Sequence, residues 1–357
     1  MKETVILVLA FIVALLASYA TTPIAVKIAH KVGAVDVPKD NRRMHKKPTP
    51  RLGGIAIVFG FLVSVICFCR LPWEYVGIVL GGIIIMFMGA IDDCKPLPAL
   101  LKFGIQILAA LIPVLFGVKI EFFSSFNLFN SAPLWVLGGL AVPITVFWIV
   151  ALTNAMNLID GLDGLAAGVA SISSLCLLAV SLMYSETHVA LFTACLAGAC
   201  FGFLPYNFNP ARIFMGDSGS TFLGYILACI SIEGMLKGAT TVISIAVPLV
   251  VLALPLMDTA VAIIRRMINH KPIMQPDRGH LHHKLIDKGF SHKQAVLILY
   301  GISALLGAFA IVMCGFGLFR ALLLLGTVGI FVLLWFLLRH APYEHEQKEE
   351  SNTENKE

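Results

Sequence analysis

The densest group of potentially reactive side chains lies between residues 154 and 164, where the sequence reads Asn-Ala-Met-Asn-Leu-Ile-Asp-Gly-Leu-Asp-Gly. Asn154, Asn157, Asp160 and Asp163 recur every third residue, which predicts that they line one side of a helical or near-helical turn. Carboxylate and amide oxygens in that arrangement suit a hard cation or a polar ligand. A capped helix with polar decoration is the simpler alternative.

Glycines are interspersed with these polar residues and continue beyond them, at Gly161, Gly164 and Gly168. A glycine leaves room for a ligand to approach the backbone, and the N-terminus of a helix attracts phosphate groups. The segment therefore predicts a phosphate-bearing ligand close to the backbone, at the point where the next helix begins.

A pair of adjacent acids, Asp92 and Asp93, closes an apolar run and is followed by Cys-Lys-Pro. A helix end at a membrane surface, where charges reach water, would be enough to explain them. Two carboxylates at the C-terminus of a helix nevertheless oppose the helix dipole. We therefore expect a positive group, either a metal cation or a lysine, to lie beside them.

A further acid, Asp217, lies within the segment 214–221, Phe-Met-Gly-Asp-Ser-Gly-Ser-Thr, which opens another apolar run. Asp217 could serve only as the N-cap of that helix. The surrounding glycines would also leave the backbone open to a ligand. Asn207 and Arg212 precede the segment and add an amide and a cation.

Basic and imidazole groups are concentrated in a later loop, at Arg278, His280, His282 and His283. No Cys or Glu accompanies the histidines in the helical register that a zinc site of the HExxH type requires. An arginine beside histidines fits the binding of an oxyanion or a diphosphate better, and a merely solvated loop is the alternative. His292, further along, has the features of an ordinary loop residue.

These carboxylates would repel one another, and would repel a phosphate, unless a divalent cation were bound among them. Magnesium is the cation that most often combines oxygen ligands with phosphate partners, and manganese is a possible substitute. Acidic groups, magnesium, glycine-opened helix starts and a basic loop together predict phosphoryl transfer.

The elements that must position these residues are membrane helices. Of the 357 residues, 58% are hydrophobic and 13% are charged, against about 25% charged in soluble domains. A transmembrane helix needs about 20 apolar residues, and the sequence offers eleven candidate runs. They cover roughly 4–26, 52–70, 76–91, 99–117, 134–153, 165–183, 189–204, 218–236, 240–264, 294–316 and 321–339. The predicted fold is an all-α polytopic membrane domain over residues 1–340, followed by a disordered cytoplasmic tail over 341–357.

Lys and Arg are concentrated in the loops 27–51 and 265–293, which eleven spans would place on the same side of the membrane. The positive-inside rule makes that side cytoplasmic, with the N-terminus outside and the C-terminus inside. All four polar motifs fall on this cytoplasmic face, and their convergence predicts one site. The net charge of +5 is modest and dispersed, so no nucleic-acid partner is expected.

Through these motifs the chain resembles the polyprenyl-phosphate N-acetylhexosamine-1-phosphate transferases, over about residues 1–340. The motifs are Asp92-Asp93, Asn154-Ala-x-Asn157-x-x-Asp160-Gly-x-Asp163-Gly, Phe214-Met-Gly-Asp217-x-Gly-Ser220 and Asp277-Arg278-x-His280-Leu-His282-His283. The resemblance implies a bundle of ten or eleven membrane helices in a plasma membrane. It also implies magnesium, a UDP-sugar donor, undecaprenyl or dolichyl phosphate as acceptor, and release of UMP; a homodimer is a possible assembly.

The resemblance assigns roles residue by residue. Asp217 would be the main metal ligand, with Asn157 and Asp160 beside it in the metal-diphosphate region. The donor pocket would contain Asn154, Asp163, Asn207 and Phe214, with the Phe214 ring stacked on uracil. The lipid phosphate would meet Asp92 and Asp93, and the sugar-side loop would act through Arg278, His280, His282 and His283. Lys47 matches a lysine of the phospho-MurNAc-pentapeptide branch of the family.

The form of the histidine loop resembles the GlcNAc-1-phosphate branch, whereas the MurNAc-pentapeptide branch carries an uninterrupted histidine triplet. The resemblance thus implies UDP-GlcNAc and undecaprenyl phosphate as substrates, at the first step of a cell-wall polymer such as wall teichoic acid. Two alternatives remain open at this point: a phospho-MurNAc-pentapeptide transferase, and an ion-coupled transporter. Transporter acids, however, usually lie near the membrane midplane.

Overall fold

The computed structural model describes residues 2–37, 48–124, 134–237, 243–269 and 279–315, together with 326–327 and 329–330. Within these residues the chain is mostly α-helical. The helices are α1 (Lys2–Val32), α2 (Gly54–Phe68), α3 (Trp73–Cys94), α4 (Ala99–Leu115), α5 (Ala141–Ile159), α6 (Leu165–Met183), α7 (Thr187–Asn207), α8 (Asp217–Lys237), α9 (Ile243–Val251), α10 (Ala253–Ile268), α11 (Leu281–Asp287) and α12 (His292–Gly315). The strands are β1 (Val35–Asp36), β2 (Thr49–Pro50), β3 (Phe122–Ser124) and β4 (Leu134–Val136).

Six of the described helices are long and apolar enough to cross a membrane: α1, α3, α5 with the turn before it, α6, α7 and α12. Helices α2 and α4 are apolar but shorter. These findings confirm a helical membrane protein. The predicted number of eleven spans and the orientation of the termini stay predictions, since most of the span 321–339 and all of the tail 341–357 lie outside the described residues.

Two predicted spans differ from the observed helices. The run 134–153 begins with strand β4 and a 3-10 turn, so that α5 starts only at Ala141; the Gly138-Gly139 pair favours this break because glycine is a poor helix former, and Gly138 adopts a φ of +52°. The run 240–264 is divided into α9 and α10 at Leu252. Pro255 lies in the first turn of α10, where a missing backbone N–H is tolerated.

The all-α prediction is confirmed for the described chain, which adds to its helices only two short antiparallel strand pairs. Val35 pairs with Pro50 and Asp36 with Thr49 in the first, and β3 pairs with β4 in the second. The first pair matters for the site. The carbonyl of Pro50 accepts a hydrogen bond from the backbone N–H of Phe214 at 2.8 Å, which ties the approach to α8 to this strand.

Helix α7 is the most buried of the six membrane-compatible helices and α1 the least. Around this centre, small residues let helix backbones come very close. A Cβ on Gly89 of α3 would collide with the backbone of Asp217 and Ser218 at the start of α8, and one on Gly54 of α2 would collide with the backbone of Gly219. Glycine at helix crossings is a recognised means of packing membrane helices. Gly89 and Gly54 therefore fix the position at which α8 begins.

Replacing Gly89 with alanine should lower the thermal unfolding temperature of the detergent-solubilised protein, because overpacking costs about 1–3 kcal/mol. Activity should fall with it, since the added methyl group displaces the first turn of α8. Gly104→Ala is the matched control, because Gly104 also lies inside a helix but has nothing within 4 Å of the added Cβ. Equal unfolding temperatures for the two variants would show that α3 and α8 can separate freely.

Candidate active site

The site is built around the first turn of α8. The carboxylate of Asp93, from the end of α3, accepts hydrogen bonds from the backbone N–H groups of Asp217 at 2.8 Å and Ser218 at 3.1 Å. Asp93 also lies 3.6 Å from the guanidinium of Arg51. Both oxygens of this buried carboxylate are therefore occupied in capping α8 from a neighbouring helix. The first backbone N–H groups of α8, which were expected to be open to a ligand, are already bound by Asp93.

The positive group expected beside the acid pair is a lysine. The ammonium of Lys102, one turn into α4, lies 3.2 Å from Asp92 Oδ2 and 3.2 Å from Asp217 Oδ2. The other oxygen of Asp92 accepts a hydrogen bond from the backbone N–H of Leu97 at 2.7 Å. Lys102 thus joins the last turn of α3 to the first residue of α8. The two adjacent acids have different partners: Asp92 contacts Lys102, and Asp93 caps α8.

Asn157 and Asp160 approach the same centre from α5. The amide nitrogen of Asn157 donates to Asp217 Oδ1 at 3.1 Å and to Ser220 Oγ at 2.9 Å. Asp160 follows the last residue of α5, and within the described chain its carboxylate has neither a hydrogen bond nor an ion pair. Desolvation raises the pKa of Asp160 well above its usual range, and the nearby Asp217 and Asp93 carboxylates raise it further.

The expectation that four polar residues share one side of a helix was wrong. Asn154 faces α4, where its amide nitrogen donates to Gln106 Oε1 at 2.7 Å and its oxygen accepts from Gln106 Nε2 at 3.3 Å. Helix α5 ends before Asp160, so the helical period does not extend to Asp163. Asn154, Asn157 and Asp163 therefore each contact a different part of the chain, and Asn154 joins α5 to α4.

Asp163 and Asn207 join the loop after α5 to the loop after α7. Asp163 Oδ2 accepts hydrogen bonds from Asn209 Nδ2 at 2.9 Å and from the backbone N–H of Ala211 at 3.0 Å. The buried amide of Asn207 accepts from the N–H of Gly164 at 3.1 Å and donates to the carbonyl of Ile213 at 3.0 Å. Their predicted place in a uridine pocket stays a prediction, and the contacts of Asn207 show a role in holding the loops together.

Phe214 is held at the edge of the site by its backbone. Its N–H donates to Pro50, and its carbonyl accepts a hydrogen bond from the N–H of Gly53 at 3.0 Å. The ring is half-buried. A partly exposed aromatic ring on a fixed backbone is compatible with base stacking, which remains the prediction for this residue.

The histidines form a stack beside the loop after α5. The His280 and His282 rings are nearly parallel, with centroids 5.7 Å apart, and the His283 ring lies 4.3 Å from that of His282. The His282 ring occupies the space above Gly161. Burial lowers the pKa of His282 to about 3, helped by the neighbouring His283. His282 is therefore neutral at physiological pH and acts here as a ring packed against Gly161.

The interpretation of the glycines as openings for a ligand was wrong. The space above Gly161, Gly164 and Gly168 is filled by protein groups, which are respectively His282, Phe208 and Tyr300. The φ of Gly164 is +82°, a backbone conformation that residues with a side chain rarely adopt. The glycines therefore serve close packing and a tight turn between α5 and α6.

Sequence reasoning missed several residues that hold these parts together. His292 is not an ordinary loop residue, because its Nε2 accepts a hydrogen bond from the backbone N–H of Asp163 at 2.9 Å. The hydroxyl of Tyr300 donates to the carbonyl of Gly164. Lys102, Gln106 and Asp258 were missed although each is a polar residue inside an apolar run, which is the signal that could have identified them.

The charges near α8 do not balance. The described acids are Asp92, Asp93, Asp160 and Asp217, and the described bases are Arg51 and Lys102. This leaves a formal excess of two negative charges, and the carboxylate of Asp160 has no ion-pair partner among the described residues. The described residues contain no group of three or more acidic, histidine or cysteine side chains that could by themselves hold a metal ion. Magnesium does not require such a group, because it often binds through one or two carboxylates, waters and a substrate phosphate. The excess negative charge is compatible with such a cation, and magnesium stays a prediction.

Two predicted site residues, Lys47 and Arg278, lie outside the described residues. The others meet at one end of the helix bundle, where α3, α5 and α7 end and α6 and α8 begin. This arrangement defines a carboxylate-rich centre at the end of a bundle of membrane helices, with a lysine at its middle and a histidine loop at its edge.

Comparison with known proteins agrees with this description. Residues 75–235 match the family described as Glycosyl transferase family 4. The chain is 42% identical to a probable undecaprenyl-phosphate N-acetylglucosaminyl 1-phosphate transferase of Bacillus subtilis, over 93% of this chain and 90% of the relative. It is 36% identical to a decaprenyl-phosphate N-acetylglucosaminephosphotransferase of Mycobacterium tuberculosis, over 80% of this chain and 77% of the relative. It is 30% identical to an undecaprenyl-phosphate alpha-N-acetylglucosaminyl 1-phosphate transferase of Escherichia coli K12, over 80% and 78%.

The chain therefore belongs to glycosyl transferase family 4 and is a membrane transferase, similar to polyprenyl-phosphate N-acetylglucosamine-1-phosphate transferases. The resemblance inferred from the motifs is confirmed. The alternative of an ion-coupled transporter is wrong at the level of class.

Proposed function

We propose that this enzyme transfers N-acetylglucosamine 1-phosphate from UDP-GlcNAc to undecaprenyl phosphate, with release of UMP, at the cytoplasmic face of a bacterial plasma membrane. The observation that supports it best is the position of Lys102 between Asp92 and Asp217 at one end of the helix bundle. A lysine held by two acids at the membrane edge can meet a lipid phosphate from the bilayer and a nucleotide diphosphate from water. The names of the relatives point to the same acceptor and sugar.

Magnesium would be held by Asp217 and Asp160, with Asn157 beside them, and when bound it would neutralise charge on the donor diphosphate. Lys102 would then be able to leave one of its carboxylates and contact a phosphate oxygen. Asp93 would not take part directly, since its oxygens are engaged by the backbone of α8. It would keep Asp217 in place by fixing the helix on which Asp217 lies.

The chemical step would be direct attack by the lipid phosphate. A phosphate monoester has a second pKa of about 6 and is mostly a dianion at pH 7, so it needs little activation. One of its oxygens would form a bond to the β-phosphorus of the donor, while the bond from that phosphorus to the bridging oxygen breaks and UMP leaves. Asp92 would orient the attacking phosphate through Lys102 or accept a residual proton. No covalent enzyme intermediate is needed.

The histidine loop would lie on the sugar side of the donor, with Arg278 binding two diphosphate oxygens in a fork. Its sequence, Asp277-Arg278-x-His280-Leu-His282-His283, supports GlcNAc over MurNAc-pentapeptide as the transferred sugar. We further propose that the product starts a cell-wall polymer, with wall teichoic acid as the first candidate.

The test is a donor panel with purified enzyme, undecaprenyl phosphate and magnesium, in which UMP release is measured. UDP-GlcNAc should be turned over, and UDP-MurNAc-pentapeptide should not. Omitting the lipid should abolish UMP release, and chelation with EDTA should do the same until magnesium or manganese is restored. Turnover of the pentapeptide donor at a rate equal to that of UDP-GlcNAc would overturn the assignment of the sugar. UMP release without lipid would overturn the assignment of undecaprenyl phosphate as the acceptor.

A further inference from the structure

A buried acid in α10 contacts the histidine loop at two points. Asp258 Oδ2 lies 2.9 Å from His280 Nδ1, and both side chains are less than a tenth exposed. Asp258 Oδ1 accepts a hydrogen bond from the backbone N–H of Leu281 at 2.8 Å. Both oxygens of the carboxylate are therefore used, and both partners belong to the segment that begins α11.

These contacts replace a local cap. His280 immediately precedes α11, and its side chain makes no capping bond to that helix. The carboxylate of Asp258 supplies the acceptor instead, from a different element. A buried carboxylate also favours the histidine tautomer that carries its proton on Nδ1. Asp258 thus sets both the start of α11 and the orientation of the His280 ring.

The His280 ring connects Asp258 with the loop after α5. His280 is stacked on His282 within 8° of parallel, and His282 fills the space above Gly161. Gly161 is the direct neighbour of Asp160, whose carboxylate has no partner in the described chain. A continuous series of contacts therefore runs from Asp258 through two imidazole rings to the loop that carries Asp160.

We propose that Asp258 is a positioning residue for the transfer reaction: it holds His280 and the start of α11, and so keeps His282 seated against the loop that carries Asp160. The expected effect on the transfer reaction rests on the proposed function. The expected effect on the position of His280 and α11 rests on the contacts alone. Asp258 touches neither donor nor acceptor in this account and acts through the start of α11 and the histidines.

The kinetic test uses Asp258→Asn, which keeps the volume but loses the charge and has one acceptor oxygen in place of two, so it cannot accept hydrogen bonds from both His280 Nδ1–H and the Leu281 N–H. Loss of a hydrogen bond to a charged group predicts a decrease in kcat of about 10- to 100-fold, while the KM for UDP-GlcNAc changes by less than about twofold because Asp258 does not contact the donor. The matched control is Thr259→Val, since the Thr259 hydroxyl is buried in the same helix without a partner among the described residues. Its kcat should equal that of the wild type.

A second measurement does not depend on catalysis. The buried rings of His280 and His282 should resist diethyl pyrocarbonate in the wild type and become reactive in Asp258→Asn, as measured by mass spectrometry. His280→Asn and His280→Gln form a matched pair. The amide nitrogen of Asn takes the place of Nδ1 and can still donate to Asp258, whereas that of Gln takes the place of Nε2 and cannot. Both variants remove the ring that stacks on His282, so their difference reports the bond to Asp258: His282 should be modified less in His280→Asn, which keeps that bond, than in His280→Gln. This pair also serves if Asp258→Asn does not fold.

The outcomes separate the two claims. A wild-type enzyme that releases no UMP from UDP-GlcNAc contradicts the proposed function, but the labelling comparison still decides whether Asp258 anchors the loop. An active wild type with unchanged kcat in Asp258→Asn contradicts the positioning role. Equal protection of His282 in His280→Asn and His280→Gln contradicts the anchor.

Discussion

Asp217→Asn should fold normally and turn over at least about 1,000-fold more slowly than the wild type, since a metal-bound carboxylate at a reacting diphosphate contributes several kcal/mol to the transition state. The residue begins α8 and shares one oxygen with Asn157 and the other with Lys102. Replacing the charge with an amide removes the negative group between a lysine and the expected cation. The measurement is UMP release at saturating magnesium.

The fold should survive this change because the start of α8 does not depend on the Asp217 side chain. The first two N–H groups of the helix are capped by Asp93, and asparagine has nearly the same volume as aspartate. The control is Glu74→Gln, which removes one negative charge in the first turn of α3, at its other end. Activity of Asp217→Asn close to that of Glu74→Gln would remove Asp217 from the metal role.

The helix ends of this site could be predicted from sequence, whereas the contacts between helices could not. An acid that closes or opens an apolar run marks a helix end, because a charge at the membrane centre is costly. This argument places Asp93 at the end of α3 and Asp217 at the start of α8, as observed. That one of them caps the helix begun by the other depends on a crossing of α3 and α8 that Gly89 permits. A single sequence carries no signal for such a pairing.

The glycines after α5 illustrate the same limit. A small residue indicates that something lies close to the backbone, but not whether it is a ligand or another side chain. For Gly168 it is the ring of Tyr300, from α12. The positive group near Asp92 was predicted by charge alone, since two carboxylates at a helix C-terminus oppose its dipole. Its identity as Lys102 depended on how closely α4 returns after the turn at Pro96 and Pro98.

Lys102→Met should reduce kcat by at least about 100-fold, because loss of one preorganised donor to a reacting oxyanion costs about that much. Methionine keeps the length of the side chain but leaves Asp92 and Asp217 without their shared cation. The measurement is kcat for UDP-GlcNAc with saturating lipid and magnesium. Lys95→Met is the matched control, because Lys95 is exposed just after α3. Equal rates for the two variants would show that Lys102 has no part in the reaction.

A low rate for Lys102→Met alone would not say whether the lysine binds phosphate or only neutralises the acids. The double variant Asp92→Asn with Lys102→Met separates these roles. Removing one partner of a partly buried ion pair leaves an uncompensated charge, whereas removing both relieves it. Because Asp92 has its own proposed role, the double variant is compared with Asp92→Asn alone. If Lys102 only neutralises Asp92, the double variant should be as active as Asp92→Asn. If Lys102 contacts the diphosphate, as proposed, kcat of the double variant should stay far below that of Asp92→Asn. Equal activity of the two would therefore reduce Lys102 to a structural counter-ion.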